Sequence, residues 1–202
     1  MKHSTSHLLH AYWEKIRGDR AAPERAEIEP GEIRHLLADS LILELDVPAR
    51  SAVIRLAGTR VCALYGRELR GQPFGVLWGD RPGDAWRLAE TVALDTLGVV
   101  TGMRGINRAE EEVDLELLLL PLRHRGRPHV RALGALSFMG APPWLGLKPL
   151  VRAETTSLRI LAPRNRSMRP PSAGAGEGMR RAMIPDAPVR RGHLMVHPGG
   201  RA

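Results

Sequence analysis

Val113, Leu115, Leu117 and Leu119 alternate with Asp114 and Glu116, and a period of two belongs to an extended strand with one buried face. A second run, 130–139, puts Val130, Ala132, Gly134, Leu136 and Phe138 on one face, with the polar stretch 123–128 as its connection to the first. Residues 99–106 precede them as another strand, its alternation weakened by Gly102 and Gly105. Upstream, 41–45 and 52–56 flank the polar turn Asp46-Val47-Pro48-Ala49-Arg50 and read as a hairpin.

Between the two groups of strands the pattern turns helical. Thr59 can cap a short helix over 60–65, which Gly66 closes. Residues 67–78 are irregular, broken by Gly71, Pro73 and Gly75 and anchored by Phe74 and Trp78. Pro82 then opens the longest internal helix, to about Leu97, with Trp86, Ala89, Ala93 and Leu97 as its buried face and Gly98 as its stop. At the start of the chain Leu9, Tyr12, Trp13 and Ile16 fall at helical spacing on one face, between a cap at Ser4 or Ser6 and a stop at Gly18. Pro30 begins a second short helix with Ile33, Leu36 and Leu37 as its stripe. Two strands, a helical middle and three strands predict an α+β fold: one five-stranded antiparallel sheet with helices on one face, plus N-terminal helices. Past Pro142-Pro143, residues 144–147 are expected to fold back over the core and 157–161 to add a short edge element.

The net charge of +8 invites a nucleic-acid reading until it is mapped. Residues 163–202 hold eight arginines against two acids, whereas the rest of the chain is close to neutral. That stretch interleaves Pro and Gly with Arg and shows no apolar period, so a disordered tail is expected. Nucleic-acid binding through this basic tail is the alternative function. With one cysteine, Cys62, no intramolecular disulfide or multi-cysteine metal site is available. The start of the chain lacks a signal-peptide pattern, and the run 117–122 is too short to span a bilayer. A cytoplasmic protein is expected.

Catalytic patterns are missing. Glu110, Glu111, Glu112 and Asp114 cluster, but no histidine or arginine clamp is tied to them, and cross-strand pairing with Arg131 is the simpler reading. There is no Gly-rich phosphate loop, and Ser137 and Ser157 lack a nucleophile-elbow setting. No enzyme and no metal site are expected.

The segment Arg55-Leu56-Ala57-Gly58-Thr59, followed by Leu64-Tyr65-Gly66-Arg67-Glu68-Leu69-Arg70-Gly71, resembles the second-strand-to-helix signature of PAS domains. From Leu8 to Leu161 the chain is similar to a family of short single-domain bacterial PAS proteins, with Tyr12-Trp13 ahead of the domain and Pro-Pro-Trp-Leu-Gly-Leu at 142–147 behind it. The resemblance implies N-terminal amphipathic helices over 1–35, a PAS-like domain over 36–140, and a C-terminal extension packing on the core over 141–162. It also implies a sensory or regulatory module in bacterial signal transduction, acting through a small ligand, protein contact or both. No kinase, cyclase or DNA-binding segment follows residue 162, so the expected output is a partner signalling protein.

A curved sheet closed by helices leaves a concavity for a ligand. Its candidate lining is Leu56, Cys62, Tyr65, Phe74, Trp86, Met103, Leu117 and Leu136, with plain core packing as the alternative for each. Arg60, Arg67 and Arg70 are candidate anion contacts; a solvated basic face is the other reading. The Leu9, Tyr12, Trp13 and Ile16 face is the candidate for homodimerisation or partner binding, unless it packs on its own sheet. Haem-binding relatives use a histidine on the long helix and flavin-binding ones an Asn-Cys-Arg context. Here 82–97 has no histidine and Cys62 sits in Arg60-Val61-Cys62-Ala63-Leu64, so neither cofactor is expected.

Overall fold

Strands β1 (Ser40–Asp46) and β2 (Ser51–Ala57) form the expected hairpin, its turn tied by Asp46 Oδ1 accepting from Ala49 N at 3.0 Å. The computed structural model describes residues 1–124 and 131–161, and the backbone alone of 127–130, 189–191 and 194–196. Strands β3 (Gly98–Asn107), β4 (Glu112–His124), β5 (Arg127–Met139) and β6 (Leu150–Leu161) complete an antiparallel sheet of order β2-β1-β5-β4-β3-β6. The α+β class stands, with six strands in place of five: the expected edge element at 157–161 is the end of a strand twelve residues long. Separately, β7 (Val189–Arg191) pairs antiparallel with β8 (Leu194–Val196). The rest of the expected tail, 163–202, lies outside the described residues.

Helices α2 (Thr59–Tyr65) and α3 (Gly83–Asp95), with the 3-10 helix Phe74–Trp78 between them, lie on one face of the sheet. Gly58, not Thr59, is the N-cap of α2, and Gly66 closes it in the left-handed region at φ 61°. On α3 the buried stripe is Ala85, Leu88, Ala89, Val92 and Ala93, and Trp86 is only half-buried; the helix stops at Asp95, so Leu97 lies beyond it, also half-buried. The expected helix after Pro30 is instead a series of tight turns. Leu36 N donates to Ile33 O and Asp39 N to Leu36 O, a three-residue spacing that ends in the 3-10 turn Leu37–Asp39.

Helix α1 (Ser4–Arg17) covers the opposite face. Leu9, Tyr12 and Trp13 are buried there with Ile42, Leu118, Leu120, Leu122 and Leu133, and Ile16 packs at the margin. The face expected to meet a second copy is therefore spent on the protein's own sheet. This explains β4: Leu117, Leu118, Leu119 and Leu120 are all 0% exposed, as a strand covered on both faces requires.

Glu116 points to the α1 side, almost fully buried, and accepts from the backbone N–H of Lys2 at 2.6 Å and His3 at 3.0 Å. Burial pushes its carboxyl up, but hydrogen bonds, those two amides among them, outweigh burial and hold it below the ordinary range. A carboxyl held low contributes stability above its unfolded pKa, near 4.5, and loses it as pH falls through the lower folded value. Glu116→Gln is expected to cost about 2 kcal/mol at pH 7. In urea titrations the gap to wild type should close progressively below pH 4.5; a gap independent of pH would contradict this.

The acidic cluster pairs differently from the expected contact with Arg131. Glu110 meets Arg152 and Glu111 meets Lys148, each at 2.7 Å, and Glu112 meets Arg104 at 3.3 Å. Arg131 lies opposite Glu44 across β1 and β5 and ion-pairs with it. Arg55, donating at 2.6 Å, and Arg131 together lower the Glu44 carboxyl to about 2.

Candidate functional site

The concavity between the sheet and the α2–α3 layer holds the main core. Tyr65, Phe74, Met103, Leu117 and Leu136 are buried members of one cluster there, and Cys62 and Trp86 pack at its margin. Leu56 does not join them and is 43% exposed. The cause is a bulge: Leu43 pairs with Ile54 but Ile42 with Leu56, so Arg55 is inserted and Leu56 turns to the α1 side. Seven of the eight expected pocket residues thus converge, and Leu56 is a correction.

Polar atoms within the cluster differ in how they are satisfied. The Tyr65 hydroxyl donates to Leu77 O at 3.2 Å, and burial pushes its phenol above the ordinary range. Trp78 Nε1 donates to Thr155 Oγ1 at 3.1 Å. Burial raises the Cys62 thiol as well, so it carries little thiolate character. Trp86 is the exception. Its Nε1–H is buried with no acceptor, while the Arg50 guanidinium from the β1–β2 turn sits 5.6 Å over its ring. An orphaned buried donor costs about 1–3 kcal/mol. Sequence reading named Trp86 for its size and place on the helix; the empty donor could be seen only with its surroundings in place.

The three arginines separate. Arg60 is held by the buried Asp39, Nη1 to Oδ2 at 2.5 Å, which occupies its guanidinium. Arg67 and Arg70 are exposed on the loop after α2 and have no ion pair among the described residues. A groove of about 270 Å³ opens on the α1 side, its walls including Lys2, Val100, Arg104, Met139 and Arg159. It was not anticipated from the sequence; of the expected pocket residues only Met103 borders it.

This order of strands and helices is matched in sequence: residues 1–137 fit the model of the PAS domain family. The chain belongs to the PAS domain family. The PAS match takes in α1 and ends within β5, leaving β6 outside it. As a PAS domain the chain is a sensory or regulatory module. No curated protein matches the sequence. Among solved structures, the Rhodobacter sphaeroides LOV protein is similar at 14% identity, covering 57% of this chain and 71% of that one, with a TM-score of 0.40. The PAS domain of a Colwellia psychrerythraea protein is similar at 21% identity, covering 55% of this chain and 98% of that one, with a TM-score of 0.38. The assignment rests on the family match, not on these distant likenesses. Among the described residues no helix is long and apolar enough to cross a membrane.

Proposed function

We propose that this PAS domain is a non-catalytic sensor that takes a small, largely apolar ligand bearing a hydrogen-bond acceptor beside Trp86, and passes the signal on by contact with a partner protein. The observation that carries the reading is the buried, unpartnered Nε1–H of Trp86 at the margin of the core, under the Arg50 guanidinium. An acceptor placed there gains a hydrogen bond in a site of low dielectric, where no described protein group already accepts from Trp86 Nε1. Arg67 and Arg70 remain the proposed contacts for any anionic group on the ligand. The residues suit neither haem nor flavin: α3 carries no histidine, and Cys62 is flanked by Val61 and Ala63.

The decisive variant is Trp86→Phe, which keeps an aromatic ring of smaller size and deletes the N–H. Without ligand it is expected to match or exceed wild-type stability by up to about 1 kcal/mol, since a buried orphan donor is removed. Trp78→Phe, which breaks the bond to Thr155, is expected to lose about 1 kcal/mol. Native mass spectrometry and a thermal-shift screen of neutral heteroaromatic and carboxylate-bearing compounds then test binding. The reading requires a bound mass or a rise in Tm for wild type that Trp86→Phe loses. A screen without a hit, or a hit indifferent to Trp86→Phe, sinks it.

A further inference from the structure

The two outer edges of the sheet are finished differently. Along β2, Ile54 N donates to Gln72 O at 2.9 Å, Gly71 N donates to Ile54 O at 2.7 Å, and Val53 bridges to Pro73. That edge is covered. Among the described residues β6 pairs with β3 alone, and no backbone hydrogen bond reaches its outer side. It also leaves Leu158 52% and Ile160 50% exposed. A long open edge with apolar side chains is a template for another strand.

The register of β6 says which strand fits. Ser157 pairs with Gly102 and Thr155 with Met103, so Thr156 is bulged between them. Across that bulge Ala153, Thr155, Leu158 and Ile160 face the α2–α3 side, and Glu154 and Arg159 face the other. Lay a second β6 antiparallel beside the first, about a two-fold axis normal to the sheet. One register sets Glu154 of each copy opposite Arg159 of the other, and every pair flanking the bulge then matches in face. Leu158 meets Thr155 and Ile160 meets Ala153, which removes both exposed side chains from water. Glu154 has only a loose contact at home, 3.8 Å from Arg152 Nε, and can take a second cation.

We propose that β6 pairs antiparallel with β6 of a second copy of this chain, joined by two symmetric Glu154–Arg159 pairs into one continuous sheet. The interface is isologous, as a two-fold dimer demands. It deepens the reading of a module that works through protein contact, by naming the surface. Its test uses unliganded protein, so it stands or falls apart from the ligand site at Trp86.

Light scattering after size exclusion on the full chain should give twice the single-chain mass of 22.2 kDa. Glu154→Arg and Arg159→Glu each place two like-charged contacts at the seam, and each alone should reduce the mass to one chain at the same loading. The combined exchange restores complementarity and should restore the dimer. Both positions are exposed, and circular-dichroism melts check that each variant folds. Single-chain mass for wild type, dimers surviving both single variants, or an exchange that fails to restore the dimer each overturns the proposal.

Discussion

Replacing Trp13 by alanine is expected to cost about 3–5 kcal/mol, a large share of the 5–15 kcal/mol typical of a whole domain. The indole fills the layer between α1 and β4, is 4% exposed, and has the Arg17 guanidinium 5.2 Å from its ring centre. Truncation removes the apolar contact and leaves a cavity against Leu118, Leu120 and Leu122. It also removes the donor to Pro121 O, 2.8 Å from Trp13 Nε1. That bond has a particular place in the sheet. Proline lacks an N–H and is confined to strand edges, yet Pro121 lies on β4, in the middle of the strand order.

The pairing resolves the conflict. β3 accompanies β4 only as far as Val99 opposite Leu119, so beyond that point β4 has an open side. Trp13 caps the Pro121 carbonyl there, and Arg123 N donates to Pro23 O at 2.9 Å. α1 and the loop after it thus finish the ladder where β3 ends. Trp13→Phe, which keeps most of the volume, is expected to lose only the hydrogen-bond share, about 1–2 kcal/mol. Urea unfolding of the two variants checks both figures; a loss below about 1 kcal/mol for Trp13→Ala would mean that α1 is only loosely attached.

The same layer shows what the sequence could reveal and what it could not. Alternation from Val113 to Leu119 was legible because Asp114 and Glu116 mark the other face. Leu118 and Leu120 had no assigned partner, and the Leu9, Tyr12 and Trp13 face of the first helix was open between a second copy, a partner and its own sheet. The two sets bury each other, but single-segment periodicity does not say which faces meet. Leu56 was misassigned because one bulged residue, Arg55, reverses every side chain after it. Only the last five of the twelve residues of β6 were visible, since an edge strand exposed along most of its length shows no burial period, and the bulge at Thr156 breaks what alternation there is. At the candidate site the residue types were readable, while the orphaned Trp86 donor depends on what its neighbours fail to offer.

Gly58→Ala is expected to be about as damaging as the loss of Trp13, for a different reason. The Gly58 backbone, φ −66° and ψ 157°, is open to any residue, so conformational freedom is not what glycine supplies. Space is. A Cβ there would lie 2.1 Å from Leu37 O, 2.3 Å from Ala38 O and 2.4 Å from Ala38 C, all of them main-chain atoms that cannot rotate aside. Nor can Gly58 back away. Its N–H donates to Ser40 O at 2.8 Å and its carbonyl accepts from Cys62 N at 3.0 Å, which fixes it to β1 on one side and to α2 on the other. Relief requires the Leu37–Asp39 turn to separate from the start of α2, and the same movement pulls Arg60 from the buried Asp39. Overpacking against a rigid neighbour costs about 1–3 kcal/mol, and leaving the buried Asp39 carboxylate without its partner adds to it, so a loss of about 3 kcal/mol or more is expected. Gly31→Ala is the matched control, with nothing within 4 Å of the added carbon, and should stay within about 0.5 kcal/mol of wild type. If thermal melts place the two variants together, the junction of β2 and α2 is more pliant than its hydrogen bonds imply, and Arg60 is then free to turn toward a ligand after all.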